Sequence, residues 1–339
     1  MIRLLIPGVL IVILTFAGCA EETIPEDIPT EMRFSHILSL ELFDTLTNVI
    51  GYAHSQEEFE YFAGIIYGEL RHLHQLFDKF NEYQGFNNIR TINNNAGIQP
   101  VEVHPDILAL LTTGIEAYHK TNGLVNIALG PVTSIWHEYI LAGEAVLPCM
   151  DALIAASRLT NINDIIIEEA NNTVFLRYAG MSLDVGSIGK GFAMESAAQK
   201  AIDAGFLAFA LHVGGDVRLV GAPRSGDRDA WGIGILDPEN PREIVDVIFA
   251  ADTAVFTSGD YLRFYMVNGA RYHHIIDPRT LMPAVAASSA TVIYPCGTTA
   301  EILSLAAFIL GADEGKETDL DTIWILPDGT VARNVGTFN

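Results

Sequence analysis

The chain is poor in cysteine and in positive charge. Three cysteines in 339 residues are too few for a disulfide framework. Cys149 and Cys296 sit in apolar or loop contexts and are expected to stay unpaired. Nineteen Lys and Arg stand against 42 Asp and Glu, a net charge of -23. Nucleic acid and anionic membrane surfaces both need basic patches, so neither is expected as a main partner. The chain lacks an internal repeat of fixed period. It also lacks the Walker A spacing and GxGxxG. An anionic substrate would therefore need a local positive device: a glycine-rich helix start, a lysine or a divalent metal.

Long apolar runs are also scarce, apart from the first residues, MIRLLIPGVLIVILTFAGC. Arg3 precedes an apolar run from Leu4 to Phe16 that is short for a membrane span. Ala17-Gly18 then lead to Cys19, which resembles a bacterial lipoprotein signal whose cysteine is lipidated. An uncleaved anchor helix is the alternative, and either reading exports the chain. We therefore expect a signal peptide over 1–19, an acidic tether over 20–32 and one domain over 33–339, anchored by lipid on the extracytoplasmic side of the cell membrane. The tether, AEETIPEDIPTE and the residue after it, suits a solvated spacer.

Half of the residues are hydrophobic, enough for one large domain or two tightly joined ones. Phe59, Phe62, Ile66, Leu70, Leu73, Phe77 and Phe80 recur in steps of three and four and predict a helix over 58–80. His72 and His74 lie off that stripe and are expected to be exposed and not ligands. Further helices are expected at 105–120, 151–158, 189–204 and 299–310, the last two closed by Gly205 and Gly311. Hairpin turns are expected at Asn171-Asn172, Asn268-Gly269 and Pro327-Asp328-Gly329. Strands read at 207–213, 217–221, 245–249, 253–257, 262–267, 271–276 and 289–294. Hairpins mixed with packed helices argue an α+β fold with antiparallel sheets, not a doubly wound one.

Residues 184–191 read DVGSIGKG and are expected to join a strand to a helix. Glycines there make ordinary turns, but bare backbone N–H groups at a helix start also favour phosphate. Three further segments follow in order: LHVGGDVR at 211–218, TSGDYLRFY at 257–265 and HIIDPRTLMP at 274–283. A double glycine after a strand is usually a tight turn, and Asp-Pro an ordinary turn starter. Singly each is weak; their order and spacing are specific.

Together these four segments resemble the ApbE family, the FAD:protein FMN transferases. The resemblance runs from about residue 34 to the end. Phe43-Asp44-Thr45 stands where the family has its early Gly-Thr strand, and the segment ending in Asn93 has a family counterpart. TNGLVNIALGPVTSIW at 121–136 and AEILSLAAFILG at 300–311 are similar to further family segments. The resemblance implies a tandem T-fold-like α+β architecture that binds FAD in a cleft, with Mg2+ or Mn2+ on the diphosphate. It implies transfer of the FMN half of FAD to a threonine hydroxyl of an exported or membrane flavoprotein, with release of AMP. The acceptors carry an Asp-x-x-Ser/Thr-Gly-Ala-Ser/Thr type sequence.

By that resemblance, the Ser187 backbone carbonyl and Glu301 are metal ligands, and Asp184 and Lys190 flank the cofactor. His274 is the candidate for deprotonating the acceptor. Asp277 shapes its loop, and Lys190 supplies charge. Gly214, Gly215, Ser258 and Gly259 line the cleft, with Phe43, Tyr83, Asn126 and Ile275 as further cofactor contacts; core packing is the plain alternative for Phe43, Tyr83 and Ile275. The chain departs from the family in three places. Glu301 stands for an aspartate, Leu305 for a threonine ligand four residues on, and Asn126 for an acidic residue. These departures keep two other functions open: an FAD-binding lipoprotein without transferase activity, and a Mg2+-dependent FAD pyrophosphatase. A plain solute-binding lipoprotein is the remaining alternative.

Overall fold

The computed structural model describes residues 31–226, 228–316 and 320–334. The expected signal segment, Cys19 and all but the end of the tether lie outside the described residues. Eight strands form the main sheet, and only these are numbered: β1 Met32–Ser39, β2 Thr47–Ala53, β3 Phe209–Val213, β4 Asp216–Val220, β5 Ala254–Gly259, β6 Ser289–Tyr294, β7 Asp321–Ile325 and β8 Val331–Asn334. They lie side by side in chain order, each antiparallel to the next. Long excursions between strands carry the helices, which is how an antiparallel sheet acquires a helical layer.

The helices are α1 Gln56–Phe77, α2 Ile89–Asn94, α3 Pro105–Lys120, α4 Gly130–Ala142, α5 Met150–Ser157, α6 Gly189–Asp203 and α7 Gly297–Gly315. Strand alternation sorts the sheet's two faces. Phe209, Leu211 and Val213 of β3 enter the main core beneath α1, α6 and α7, while Ala208 and Ala210 face a second cluster. That second face is covered by the hairpin of Trp231–Leu236 and Ile244–Ala250. No helix among the described residues is long and apolar enough to cross a membrane.

Helix α1 starts where Ser55 accepts the N–H of Glu58 at 3.1 Å, with Glu57 and Glu58 complementing the helix dipole. Its stripe is buried from Phe59 to Phe77, but the chain leaves the helix at Asp78 and Phe80 is exposed. Buried Glu69 on α1 pairs with Lys200 and accepts from the Ser196 hydroxyl of α6, tying the two helices.

The α+β reading with antiparallel sheets holds, as do the three hairpin turns. Cys149 and Cys296 are both free. Several local expectations change. Phe43-Asp44-Thr45 is not a strand; it turns between β1 and β2 with positive φ at Phe43 and Asp44. No strand precedes Asp184: residues 181–185 are irregular, and the side chain of Asn93 holds Leu183 by donating to its carbonyl at 3.0 Å and accepting its N–H at 2.7 Å. Gly311 closes the long helical run as expected: its φ of +71 and ψ of -179 are non-helical, a further short helical stretch follows to Gly315, and a Cβ at Gly311 would meet Ala286 at 2.7 Å. His72 and His74 are half-buried rather than exposed, because α3 and the Phe43 turn pack over that side of α1. The strand Trp231–Leu236 and helix α4 escaped the sequence reading; α4 buries only Gly130, Val132 and Trp136, too few for a clear stripe.

Candidate active site

The DVGSIGKG segment leads into α6, whose first turn holds its last three residues, and α7 crosses that turn closely. A Cβ on Gly191 would lie 2.5 Å from the carbonyl oxygen of Gly297. Only glycine permits that approach. The Gly191 N–H, one of the first-turn donors of α6 that have no helical acceptor, donates to Oε2 of Glu301 at 2.7 Å. Nearby, Gly297 at the start of α7 donates its N–H to Oε2 of Glu195 at 2.7 Å, and Glu195 also pairs with Arg218.

Lys190 projects from α6 between two carboxylates. Its ammonium pairs with Asp216 and lies 3.4 Å from Oε1 of Glu301 and 5.6 Å from the centre of the Phe256 ring. Asp216 is set by the tight Gly214-Gly215 turn between β3 and β4, where both glycines have positive φ. Its other oxygen accepts the N–H of Thr257 at 2.8 Å. Burial opposes the charge on Lys190, but Asp216 and Glu301 outweigh it and raise its pKa. Burial pushes Glu301 up to about 7; Lys190 counteracts this and Asp216 adds to it. Ser258 meets Ser304 hydroxyl to hydroxyl at 3.0 Å, and Ser304 donates to the backbone carbonyl of Glu301 at 2.9 Å. Tyr261 lies over Gly259, where a Cβ would fall 2.4 Å from its ring. Leu305, one turn beyond Glu301, is half-buried against the main core.

A second cluster gathers around Asp184. Its carboxylate accepts from Lys79 at 2.6 Å, from the Thr133 hydroxyl at 2.7 Å and from the Gly186 N–H at 3.1 Å. Burial would raise its pKa, but Lys79 and these hydrogen bonds hold it down at about 2. His137 stands close by, its ring 5.2 Å from that of Phe80 and tilted 33° to it, and its pKa is lowered by burial and by Lys79. His274 is exposed to solvent. Desolvation by the protein around it, then Arg263 and His273, lowers its pKa to about 3, so its ring is neutral near pH 7. The adjacent His273 points into the core, with Nε2 2.7 Å from the Ala284 carbonyl and Nδ1 accepting the Ile275 N–H at 3.2 Å.

Phe43 donates its N–H to Nδ1 of His74 at 3.2 Å and sets its ring edge-on to that imidazole. The Tyr83 hydroxyl donates to Asp78 at 2.8 Å. Other named residues are committed to the fold. Asn126 donates to the Thr160 carbonyl at 3.0 Å and accepts the Ala128 N–H at 2.9 Å. Asp277 is closed by a two-pronged pair with Arg279. Ile275 is buried in the main core. Thus Ser187, Lys190, Ser258 and Glu301 share the α6–α7 junction, and Asp184 and His274 share the second cluster. Asp216, Lys79, Thr133 and His137 were not picked out from sequence. Asp216 follows a double glycine and was visible as a candidate; Lys79 and Thr133 carried no local signal, because only folding brings them to Asp184.

The profile of the ApbE family matches residues 43–319. The chain is 34% identical over 273 residues to the FAD:protein FMN transferase of Treponema pallidum (strain Nichols), covering 73% of each. It is 28% identical over 247 residues to the FAD:protein FMN transferase of Vibrio cholerae serotype O1, covering 72% of this chain and 73% of that one. Among solved structures it is similar to the ApbE protein of Thermotoga maritima, with TM-score 0.77 and 25% identity over 90% of this chain and 97% of that one.

Proposed function

The chain belongs to the ApbE family, and on that premise we propose that it transfers the FMN half of FAD to a threonine hydroxyl of an exported flavoprotein. The observation that carries this reading is the junction where the glycine-rich start of α6 meets Glu301 through Gly191 and Lys190. Phosphoryl-type transfer asks little covalent chemistry of the protein; it asks for positioning and charge neutralisation.

The donors at the junction fit a hard divalent cation. Glu301 offers a carboxylate, and the Ser187 backbone carbonyl, one residue before the N-cap of α6, would be the second donor. Leu305 offers no donor, so water would have to supply the remaining ligands. Bound there, Mg2+ or Mn2+ supplies charge neutralisation on the diphosphate oxygens. Lys190 adds a fixed positive charge, held in place by Asp216. His274, neutral near pH 7, accepts the proton of the threonine hydroxyl as its oxygen attacks the FMN phosphorus. The P–O bond to the AMP half breaks, and AMP leaves with the electron pair. Asp184, locked by Lys79 and Thr133, shapes the wall beside His274. On the sequence of residues 1–19 we further propose export and lipid attachment at Cys19.

The test uses residues 20–339, FAD, Mg2+ and a peptide bearing the threonine motif, following AMP release and peptide mass. AMP together with a peptide heavier by FMN supports the transferase. AMP without labelling points to the pyrophosphatase. Bound FAD with neither product makes the chain a flavin carrier.

A further inference from the structure

Away from this junction, three metal-ligating atoms converge between α1 and α3. Nε2 of His72 lies 3.5 Å from Oδ2 of Asp106, and Nδ1 of His104 lies 3.2 Å from the same oxygen. All three lie within 4.8 Å of one another. Ligand atoms held about 2.0–2.2 Å from a tetrahedral zinc ion stand roughly 3.3–3.5 Å apart, so these spacings match tetrahedron edges.

The hydrogen bonding gives a second reason. Nδ1 of His104 accepts the Asp106 N–H at 3.3 Å as the cap of α3. A nitrogen that accepts carries a lone pair, so its approach to Asp106 Oδ2 sets two electron-rich atoms together. A cation between them removes that conflict, and the 3.3 Å capping bond is long enough to yield. The imidazoles meet edge to face at 5.0 Å, and Phe86 walls the His72 ring at 6.0 Å. All three side chains keep partial exposure, which leaves room for water as a fourth ligand.

We propose that His72, His104 and Asp106 bind a divalent transition cation of the zinc class, stapling α1 to the start of α3. Two imidazoles and a carboxylate favour zinc over magnesium, which prefers oxygen alone. The net charge of -23 favours the cation and offsets its unfavourable place near a helix N-terminus. The proposal is independent of the flavin reading.

The test is equilibrium dialysis of untagged residues 20–339 against Zn2+ in excess Mg2+. One equivalent is expected to bind. His72→Ala, His104→Asn and Asp106→Asn should each weaken it at least about tenfold, while His36→Ala leaves it unchanged. Thermal unfolding without metal checks that the variants fold, and asparagine at 104 keeps a helix cap. Zinc should also raise the unfolding temperature of the wild type and not of His72→Ala. No magnesium-resistant zinc in the wild type, or full affinity in folded His72→Ala, overturns the proposal.

Discussion

Glu301 accepts the N–H of Gly191 at 2.7 Å, so a carboxylate of α7 caps a first-turn donor of α6 that has no helical acceptor. The same carboxylate is buried, and its pKa rises from 4.5 to about 7. A folded pKa above the unfolded one means stability is full below about 4.5 and is lost as pH rises through about 7. Glu301→Gln should therefore melt higher than wild type at pH 8 in chelator and close to it near pH 5. The same variant should lose metal-dependent transfer. Equal melting at both pH values would show that Glu301 is not strained by burial.

Leu305 sits one helical turn from Glu301, on the same face. Leu305→Thr places a hydroxyl there, and the Mg2+ concentration for half-maximal transfer should fall by roughly tenfold, about 1.4 kcal/mol. The side chain leaves a half-buried packing position, so a modest loss of stability should accompany it. An unchanged Mg2+ dependence would remove position 305 from the metal site.

Gly191→Ala drives a Cβ to 2.5 Å from the Gly297 carbonyl oxygen and 3.0 Å from the Glu301 Cβ. Neither neighbour is a flexible chain end. Forcing α6 and α7 apart should cost about 2 kcal/mol or more, read by urea unfolding. Ala193→Gly on the same helix serves as a contrast, because it creates a void without forcing the helices apart.

Lys79 and its hydrogen bonds hold Asp184 at about 2 in the folded chain, below the ordinary aspartate value of 3.8. A depressed carboxylate contributes stability above about pH 4, lost as pH falls through about 2. Wild type should thus show an acid-stability slope in that window, worth about 2 kcal/mol, that Asp184→Asn lacks. A slope of equal size in the variant would assign the acid sensitivity elsewhere.

His274→Ala should lower transfer by about 10² to 10⁴ while FAD binding and the fold persist. With its pKa near 3, the His274 ring is unprotonated throughout the physiological range. The wild-type rate should therefore show no inflection near 6.5 that the alanine variant abolishes.

Much of the fold was legible because it is local. The α1 stripe, the Pro105 start of α3 and the Asn268-Gly269 turn each follow from neighbouring residues and a backbone preference. The glycine segment at 184–191 likewise marked Lys190, while Glu301 was marked only by the resemblance of 300–311 to the family's closing helix. What sequence alone left open depends on partners far away. The Phe43 turn follows β1 and packs beside His74, so its positive φ is set by tertiary contact and not by local preference. Only the β3–β4 turn brings Asp216 to Lys190, and only the fold delivers Lys79 and Thr133 to Asp184. Of the paired histidines, His273 ends its strand and turns into the core, while His274 lies just past the strand and is exposed. A carboxylate's charge and a histidine's proton are likewise settled by burial and by opposite charge a few ångströms away, quantities that no stretch of sequence contains.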